Sequence, residues 1–449
     1  MESQNLFARL SCFFFSGCCL LLLASCSLQK KISRSAKGVI RDPVLQTANL
    51  GISIYEPATG KYWYDYQGDH YFVPASNTKI PTCYAAMKYL GDSLAGAGIA
   101  DDGKGGCLVF PTGDPTFLQA AFPSQPVFDI LKMKKQVLLY TDTWKDDRWG
   151  NGWSWNDYDA AYMAERSPFP MYGNVADFFL IKDTLKFSPP GILIRANKDL
   201  GFDPVNHTLQ TNNFSVERGI DSDEFVLKPS QKKFSGTSIP LRADMGLMAG
   251  LLADTLGKAV IPASIAEGYF FDPVKTIIYS RPTDSLLKPM MHHSDNFFAE
   301  QTLMMLSNER LGYMKDEAII DTLLKTDFAF LPQTPRWVDG SGLSRYNLFS
   351  PQDFVAILTR MQQEFGMERI RVILPTGGEG TLGNYYVKEK GFVYGKTGTL
   401  SGVVAFSGFL YTRKGKLLVF STLVNNHRAS ATAIRHTIEK FLVGIRKKY

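Results

Sequence analysis

The chain carries the run Val73-Pro74-Ala75-Ser76-Asn77-Thr78-Lys79 directly ahead of a helical pattern. After this run, apolar residues recur at helical spacing as far as Leu90. Proline is tolerated only in the first turn of a helix, so Pro81 requires the helix to begin close to Ser76. The sequence therefore predicts that the Ser76 hydroxyl lies at a helix N-terminus, one turn away from the amine of Lys79.

This predicted position gives Ser76 and Lys79 a chemical use. The N-terminus of a helix offers backbone N–H groups and a positive dipole end, and both stabilise a developing oxyanion. A lysine one turn away can take the proton of the serine hydroxyl and make it a nucleophile. Taken alone, the pair could equally be a helix cap and a solvated surface charge. Ser-x-x-Lys also occurs in three other places, none of them with the setting of Ser76: Ser27-Lys30 lies in the polar N-terminal segment, Ser230-Lys233 in a polar loop-like stretch, and Ser285-Lys288 within a predicted helix.

Two further short motifs follow in the chain, Ser294-Asp295-Asn296 and Lys396-Thr397-Gly398-Thr399. The first supplies a second hydroxyl and an amide, and the second supplies a cation beside two hydroxyls. Each could be an ordinary turn or strand end on its own. The three motifs in this order, on these predicted elements, indicate acyl transfer to a serine.

Bulk properties exclude several other classes of protein. A chain of 449 residues is long enough for two or three domains. Its hydrophobic content of 45% and charged content of 20% are typical of a folded globular protein. The net charge of +6 is spread thinly, which argues against a nucleic-acid partner. The six His residues form no His-Glu-x-x-His pattern, which argues against a zinc peptidase.

The N-terminus has the pattern of a targeting segment. Arg9 precedes an apolar run, Leu10–Leu23, of the length found in signal peptides. The run ends in Leu23-Ala24-Ser25-Cys26, which resembles a bacterial lipobox and predicts a signal peptide over 1–25 with lipidation at Cys26. A plain secretory signal cut near Ala24 is the alternative, and either one predicts export. Residues 26–43 are polar and basic and are interpreted as a tether.

Only Cys83 and Cys107 remain in the body of the exported chain. They could pair in an oxidising compartment, although two cysteines do not make a disulfide framework. Cys83 falls on an apolar helical face, which favours a buried thiol instead.

The remaining pattern divides the chain into an outer domain over 44–97 and 241–449 and an inserted region over 98–240. The inserted region is rich in Asn, Pro, Asp and aromatic residues, and its weak periodicity is β-like. Strands and helices of the outer domain are predicted as follows: strands at Ala48–Tyr55, Lys61–Tyr66, Phe392–Thr399, Val403–Tyr411 and Leu417–Val424, and helices at Leu241–Leu256, Ser285–His292, Phe297–Leu306, from Ser350 onward, and Ala429–Ile445.

The three motifs together resemble the signatures of penicillin-binding proteins and serine β-lactamases. The gap of 218 residues between Ser76 and Ser294 is similar to one branch, the low-molecular-mass class C D-alanyl-D-alanine carboxypeptidases/endopeptidases, which carry inserted domains there. Two more runs resemble this branch, Gly113-Asp114-Pro115-Thr116 and Asp339-Gly340-Ser341-Gly342-Leu343-Ser344-Arg345. The resemblance implies an α+β fold (an α/β sandwich). Its transpeptidase-like domain has an antiparallel sheet flanked by helices, and the inserted modules are largely β.

The resemblance also implies a role for each motif residue. Ser76 would be the acylated nucleophile and Lys79 its base, with a pKa lowered by charge repulsion from Lys396. Ser294 would relay a proton to the leaving amine, and Asn296 would bind the peptide backbone of the substrate. Two groups of roles remain: Lys396 and Thr397 would hold the terminal carboxylate, and the backbone N–H groups of Ser76 and Thr399 would form the oxyanion hole.

The implied partners are peptidoglycan stem peptides ending in D-Ala-D-Ala, β-lactam antibiotics, and a membrane through the lipid anchor. No metal or organic cofactor is implied. The loop Asp339–Ser344 is interpreted as a structural turn, and the Trp-rich stretch near Trp153 as core.

Two rival functions remain open. The first is a β-lactamase or esterase on the same fold. A class A β-lactamase needs Glu-x-x-Leu-Asn, whereas Glu165-Arg166-Ser167-Pro168-Phe169 has the acid without Leu-Asn. The second is a lipoprotein that binds peptidoglycan without catalysis, and the intact motifs argue against it.

Overall fold

The computed structural model describes residues 32, 34, 36–264 and 275–449. The signal peptide predicted at 1–25 and the lipidation predicted at Cys26 lie outside these residues. By compactness the chain divides into two units. The first contains the described residues up to Pro74 together with Leu331–Pro335 and Leu348–Tyr449, and the second contains Ala75–Phe330 and Arg336–Asn347.

The described residues form these strands in chain order: β1 (Asn49–Glu56), β2 (Lys61–Tyr66), β3 (Ser93–Asp101), β4 (Cys107–Pro111), β5 (Val137–Tyr140), β6 (Val175–Ile181), β7 (Thr184–Ser188), β8 (Leu193–Ala196), β9 (Phe214–Arg218), β10 (Glu224–Pro229), β11 (Thr237–Pro240), β12 (Val260–Ala263), β13 (Thr276–Pro282), β14 (Val393–Leu400), β15 (Val403–Tyr411) and β16 (Leu417–Asn425). They form these helices: α1 (Lys79–Tyr89), α2 (Pro126–Met133), α3 (Met245–Leu256), α4 (Asp284–His292), α5 (Asn296–Leu311), α6 (Asp316–Lys325), α7 (Pro351–Ile373) and α8 (Ala431–Lys448). Residues 36–40 are helical as well.

The first unit is built on an antiparallel sheet in the order β14-β15-β16-β1-β2. Ile52 of β1 shares an apolar core with Ile434 of α8. A Cβ built on the neighbouring Gly51 would instead lie 2.7 Å from Pro351 of α7. Because successive side chains of a strand point to opposite faces, α7 and α8 cover the two faces of the sheet. The predicted antiparallel sheet flanked by helices is therefore confirmed within this unit.

The segment interpreted as a tether packs onto the first unit where the structure describes it. Ile32, Ala36 and Val39 are all buried in the same apolar core as the β1 sheet. Their spacing places them on one stripe of a helix, which gives this polar segment an apolar face. From residue 36 onward the predicted tether is therefore part of the folded unit.

The described residues of the second unit form three sheets. The largest has the order β12-β5-β4-β3-β13, and the two smaller ones have the orders β8-β10-β9 and β11-β6-β7. Between residues 107 and 240, which are all described, α2 is the one α-helix among eight strands, so the region expected to be inserted is largely β. Its predicted limits at 98 and 240 stay a prediction, because the second unit also includes the helices that follow.

Cys83 and Cys107 are both buried thiols, and neither takes part in a disulfide among the described residues. The predicted buried thiol of Cys83 is thus confirmed.

Across the part of the chain that the structure describes, no helix combines the length and the apolar character needed to cross a membrane.

Candidate active site

Ser76 lies in a short 3-10 turn, Ala75–Thr78, that leads directly into α1. Ala75 has a φ of 47°, a left-handed conformation that residues other than glycine rarely adopt. The backbone of another loop approaches this turn closely, because a Cβ built on Gly342 would lie only 1.9 Å from the Ala75 carbonyl oxygen. Backbone strain of this kind is concentrated at functional sites. The predicted helix start at Ser76 is confirmed, with a 3-10 turn in place of the first α-turn.

Lys79 connects the first two motifs. Its Nζ donates hydrogen bonds to Ser76 Oγ at 3.1 Å, to Asn296 Oδ1 at 2.6 Å and to the Ser341 carbonyl oxygen at 2.7 Å. An ammonium group has three N–H donors, so these partners account for all of them. The structure thus brings together Ser76, Lys79 and Asn296, as the sequence predicted, and adds a backbone carbonyl to the site.

The environment of Lys79 lowers the pKa of its amine to about 8. The side chain is fully buried, and burial disfavours its charged form. The carboxylates of Glu300, Asp339 and Asp295 act in the opposite direction and hold the proton on the amine. Burial alone explains why the pKa of Lys79 is lowered. The expected further lowering by charge repulsion from Lys396 stays a prediction. A base whose pKa is close to the working pH is suited to proton transfer.

The Ser294-Asp295-Asn296 motif forms the start of α5. Asp295 caps the helix, since its Oδ1 accepts a hydrogen bond from the Phe298 N–H at 2.8 Å. Ser294, just before the cap, has a φ of 60°. Asn296 Nδ2 donates to the Tyr162 carbonyl oxygen at 2.9 Å. Each polar atom of this amide can make one more hydrogen bond, which leaves capacity for a substrate.

The loop Asp339–Ser344 is in direct contact with the base, a role that the sequence did not indicate. The Ser341 carbonyl accepts from Lys79, and the Ser341 N–H donates to Glu300 Oε1 at 2.7 Å. The predicted turn is present as well, because the Asp339 carboxylate accepts from the N–H groups of Gly342 at 2.8 Å and Ser344 at 2.7 Å. A backbone carbonyl leaves no side-chain signature, so only the Asp-Gly-Ser-Gly composition of the loop could have indicated this contact.

A buried charge cluster lies behind the loop. Glu300 is completely buried, burial raises its pKa to about 8, and its Oε2 lies 3.8 Å from Nη1 of Arg166. Arg166 also binds Asp316 at 2.5 Å and Asp146 at 3.1 Å. This network fixes Glu300 and, through it, the Ser341 carbonyl.

Glu165, the acid of the run compared with class A β-lactamases, has a structural role. Its Oε2 accepts from the Ala243 N–H at 3.0 Å, and its Oε1 lies 3.5 Å from Arg218. These partners occupy the carboxylate in a buried pair, so the run is a coincidence, as interpreted from the sequence.

The third motif lies on β14 of the first unit. Lys396 is fully buried, and its Nζ donates to the Thr397 carbonyl oxygen at 2.7 Å. Thr397 Oγ1 donates to Thr381 Oγ1 at 2.8 Å. The hydroxyl of Thr399, on the same strand face as Thr397, accepts from the guanidinium of Arg435 on α8. This strand therefore presents hydroxyls beside two cations, the composition expected of a carboxylate site.

Comparisons with known proteins agree with this geometry. A family model described as the D-Ala-D-Ala carboxypeptidase 3 (S13) family matches residues 32–446. The D-alanyl-D-alanine carboxypeptidase of Actinomadura sp. (strain R39) is 26% identical over 440 residues, which cover 88% of this chain and 80% of the relative.

Two solved structures extend the comparison. Penicillin-binding protein 4 of Haemophilus influenzae has a TM-score of 0.69 at 19% identity, covering 93% of this chain and 99% of that one. The penicillin G-acylated predatory endopeptidase of Bdellovibrio bacteriovorus, solved with an immunity protein, has a TM-score of 0.52 at 14% identity, covering 89% and 93%. The likeness confirms the predicted α+β penicillin-binding fold with additional β modules. Since the family model matches most of its length, the chain belongs to the D-Ala-D-Ala carboxypeptidase 3 (S13) family and is a serine-type peptidase.

Proposed function

We propose that the protein hydrolyses the D-Ala-D-Ala bond of peptidoglycan stem peptides through an acyl-enzyme on Ser76. The observation that carries this proposal is the 3.1 Å hydrogen bond from Lys79 Nζ to Ser76 Oγ, made by a buried amine with a pKa of about 8. A lysine in this state can exchange a proton with a serine hydroxyl near neutral pH.

The reaction begins when the neutral amine of Lys79 takes the proton of Ser76. Ser76 Oγ then attacks the carbonyl carbon of the penultimate D-alanine. The backbone N–H groups of Ser76 and Thr399 stabilise the oxyanion, a role supported by the position of Ser76 in the turn that opens α1. Ser294 passes the proton to the leaving amine, D-alanine departs, and water hydrolyses the ester.

Substrate recognition uses the remaining motif residues. Lys396 and Thr397 hold the terminal carboxylate of D-alanine, since a lysine and a hydroxyl are suited to a carboxylate. Asn296 binds the peptide backbone of the stem with the hydrogen-bonding capacity that Lys79 and Tyr162 leave to it.

The same site would react with β-lactams, whose strained amide takes the place of the scissile bond. A relative on this fold that has been solved as its penicillin G adduct supports this expectation. The substrate lies in the cell wall, which agrees with an exported, periplasmic protein attached to a membrane through a lipid on Cys26.

D-alanine release from a D-Ala-D-Ala pentapeptide tests the proposal. Ser76→Ala should abolish release because it removes the nucleophile. Ser285→Ala is the matched control, since Ser285 belongs to another Ser-x-x-Lys run, and it should retain release. Release by the Ser76→Ala variant would contradict the proposal. Rapid turnover of penicillin without D-alanine release would favour the β-lactamase instead, and inertness toward both would favour the binding lipoprotein.

A further inference from the structure

A cleft of about 330 Å³ in the first unit is lined by three arginines and by no acidic residue. Arg371 lies near the end of α7, Arg413 in the turn between β15 and β16, and Arg446 in the last turn of α8. Phe392 and Tyr411 line the cleft as well. Three elements that are distant in the chain therefore bring positive charge to one place.

Two of the guanidinium groups are held in position without the help of an acid. Arg371 Nη2 donates to the Tyr411 hydroxyl at 2.9 Å, and Arg446 Nη1 donates to the Tyr411 carbonyl oxygen at 2.6 Å. The guanidinium of Arg446 also lies over the ring of Phe392, 3.7 Å from its centre. Since a guanidinium has five N–H donors, both groups keep donors for a ligand. Fixed forks of this kind suit the oxygens of a phosphate or a carboxylate.

The positive charge of the cleft is not neutralised by ion pairs within the described part of the chain, because none of the three arginines forms one with a described carboxylate. Burial and repulsion from Arg413 both lower the pKa of Arg446, whereas the charge of Glu389 acts in the opposite direction. The dipole of α8 favours a cation in its last turn, but Arg371 and Arg413 belong to other elements. An anion bound between the three would relieve their repulsion.

The cleft is separate from the candidate carboxylate site on β14. Phe392 directly precedes this strand, whereas Lys396 lies in its middle and Thr399 close to its other end. At about 3.3 Å for each residue of a strand, Lys396 is about 13 Å and Thr399 about 23 Å along β14 from Phe392. The anion that the cleft binds is therefore not the substrate carboxylate proposed for Lys396.

The N-terminal segment indicates where this anion comes from. Six residues lead from Cys26 to Ile32, and six residues span at most about 21 Å. Because Ile32 is buried in the core of the first unit, a lipid on Cys26 would hold this unit close to the membrane surface. Asp42 Oδ2 accepts from Thr437 Oγ1 of α8 at 3.1 Å, and Arg446 follows nine residues later, about 14 Å along the helix. The anchored segment thus joins the unit on the helix that carries Arg446.

The surroundings of the cleft also suit a membrane surface. Lys414, next to Arg413, and Lys447 and Lys448, next to Arg446, are all exposed. Phe392 exposes 44% of its surface beside these cations. Basic residues attract anionic phospholipids, and an exposed aromatic ring can enter the headgroup region.

We propose that this cleft binds the headgroup phosphate of an anionic phospholipid in the membrane to which the protein is anchored. The inference rests on the proposed lipidation of Cys26 and is independent of the chemistry proposed for Ser76. A lipid chain combined with a basic patch holds a protein on a membrane more firmly than either does alone. Because the cleft and Thr399 lie at opposite ends of β14, this contact leaves the Thr399 end of the strand free.

Vesicle binding tests the inference. The mature chain from residue 26 with Cys26→Ser cannot carry the lipid, so its binding measures the folded surface. Flotation with mixed vesicles of phosphatidylcholine and phosphatidylglycerol should show binding, and vesicles of phosphatidylcholine alone should show little. Arg413→Gln should weaken binding to the mixed vesicles about ten-fold or more, because it removes both a charge and a hydrogen-bonding fork.

Two control variants remove the same charge elsewhere. Lys414 is exposed beside Arg413 but does not line the cleft, so Lys414→Gln should weaken binding only about five-fold or less. Arg428 is exposed beyond the other end of β16, about 26 Å or more from the cleft, where salt screens its charge. Arg428→Gln should leave binding unchanged.

Several outcomes would overturn the inference. Equal losses in Arg413→Gln and Lys414→Gln would show diffuse attraction in place of a cleft, and equal binding to both kinds of vesicle would exclude recognition of the anionic headgroup. Binding of soluble glycerol phosphate without vesicle binding would identify a site for free phosphate instead. An intact mass of the exported wild-type protein without a lipid would contradict the anchor on which the inference rests. D-alanine release tests the proposed function separately, and it should be the same in all three variants and the parent chain.

Discussion

At the residue scale, the account depends on how a buried lysine can act as a base. Lys79 has three hydrogen-bond acceptors around its amine and three carboxylates in its surroundings, yet burial still lowers its pKa to about 8. The amine must lose its proton before it can accept that of Ser76. The rate of acylation by penicillin should therefore rise with pH and level off above about pH 8.

Glu300 should tune this pH dependence. Its carboxylate raises the pKa of Lys79, as do those of Asp295 and Asp339. The positive charge of Arg166 acts on Glu300 itself and opposes the rise in its pKa. Glu300→Gln keeps the acceptor for the Ser341 N–H and removes the negative charge that Glu300 carries as it ionises around its pKa of about 8, the range in which Lys79 also titrates. The pKa of Lys79 should then fall further, which moves the midpoint of the acylation profile to lower pH.

The control for this variant is Glu309→Gln, which changes an exposed carboxylate on the same helix. It should leave the midpoint in place. An unshifted midpoint in Glu300→Gln, together with normal folding, would show that Glu300 has no electrostatic effect on the base.

At the scale of single elements, the turn that carries Ser76 depends on a close approach by another loop. Gly342 has a φ of 85°, and a Cβ there would lie 1.9 Å from the Ala75 carbonyl oxygen. Gly366, where α7 is broken, has a φ of 71° but open space around its Cβ position. Alanine substitutions at the two glycines therefore distinguish two effects. An alanine at 366 would introduce backbone strain alone, whereas an alanine at 342 would also displace the turn that carries Ser76.

Gly342→Ala should lower both the melting temperature and the rate of acylation. Gly366→Ala should lower only the melting temperature, since its φ of 71° and ψ of 161° lie in a region nearly restricted to glycine, where another residue costs about 1–3 kcal/mol. Thermal unfolding and stopped-flow acylation would measure the two effects. Equal acylation rates in both variants would mean that the position of Ser76 does not depend on the 339–344 loop.

Helices and strands in which apolar residues recur at a clear spacing were predictable from the sequence. The strands of the first unit and the starts of α1 and α7 follow from alternation, proline positions and the Ser350 cap, whose Oγ accepts from the Asp353 N–H at 3.0 Å. The helical part of the supposed tether was missed because its few apolar residues are separated by basic ones. The contact of Ser341 with Lys79 was missed because it uses a backbone atom.

At the scale of the whole molecule, the sequence could not give the division into two units. Leu331–Pro335 belongs to the first and Arg336–Asn347 to the second, so the chain changes unit within a few residues. No composition shift marks such a change. The proposed catalytic residues Ser76, Lys79 and Ser294 belong to the second unit, whereas Lys396 and Thr397 belong to the first. Whether these two groups of residues act in one reaction is therefore tested by activity measurements on the intact protein.

Mapping the penicillin adduct tests the central claim most directly. Trypsin cuts after Lys61 and Lys79, which yields the peptide Tyr62–Lys79, and Ser76 is the one serine in it. After brief incubation of the intact protein with penicillin, acid quenching and digestion, the mass of the drug should appear on this peptide and fragment to Ser76. An adduct confined to any other peptide, or a hydrolysed drug with no adduct on Tyr62–Lys79, would contradict the assignment of Ser76 as the acylated nucleophile.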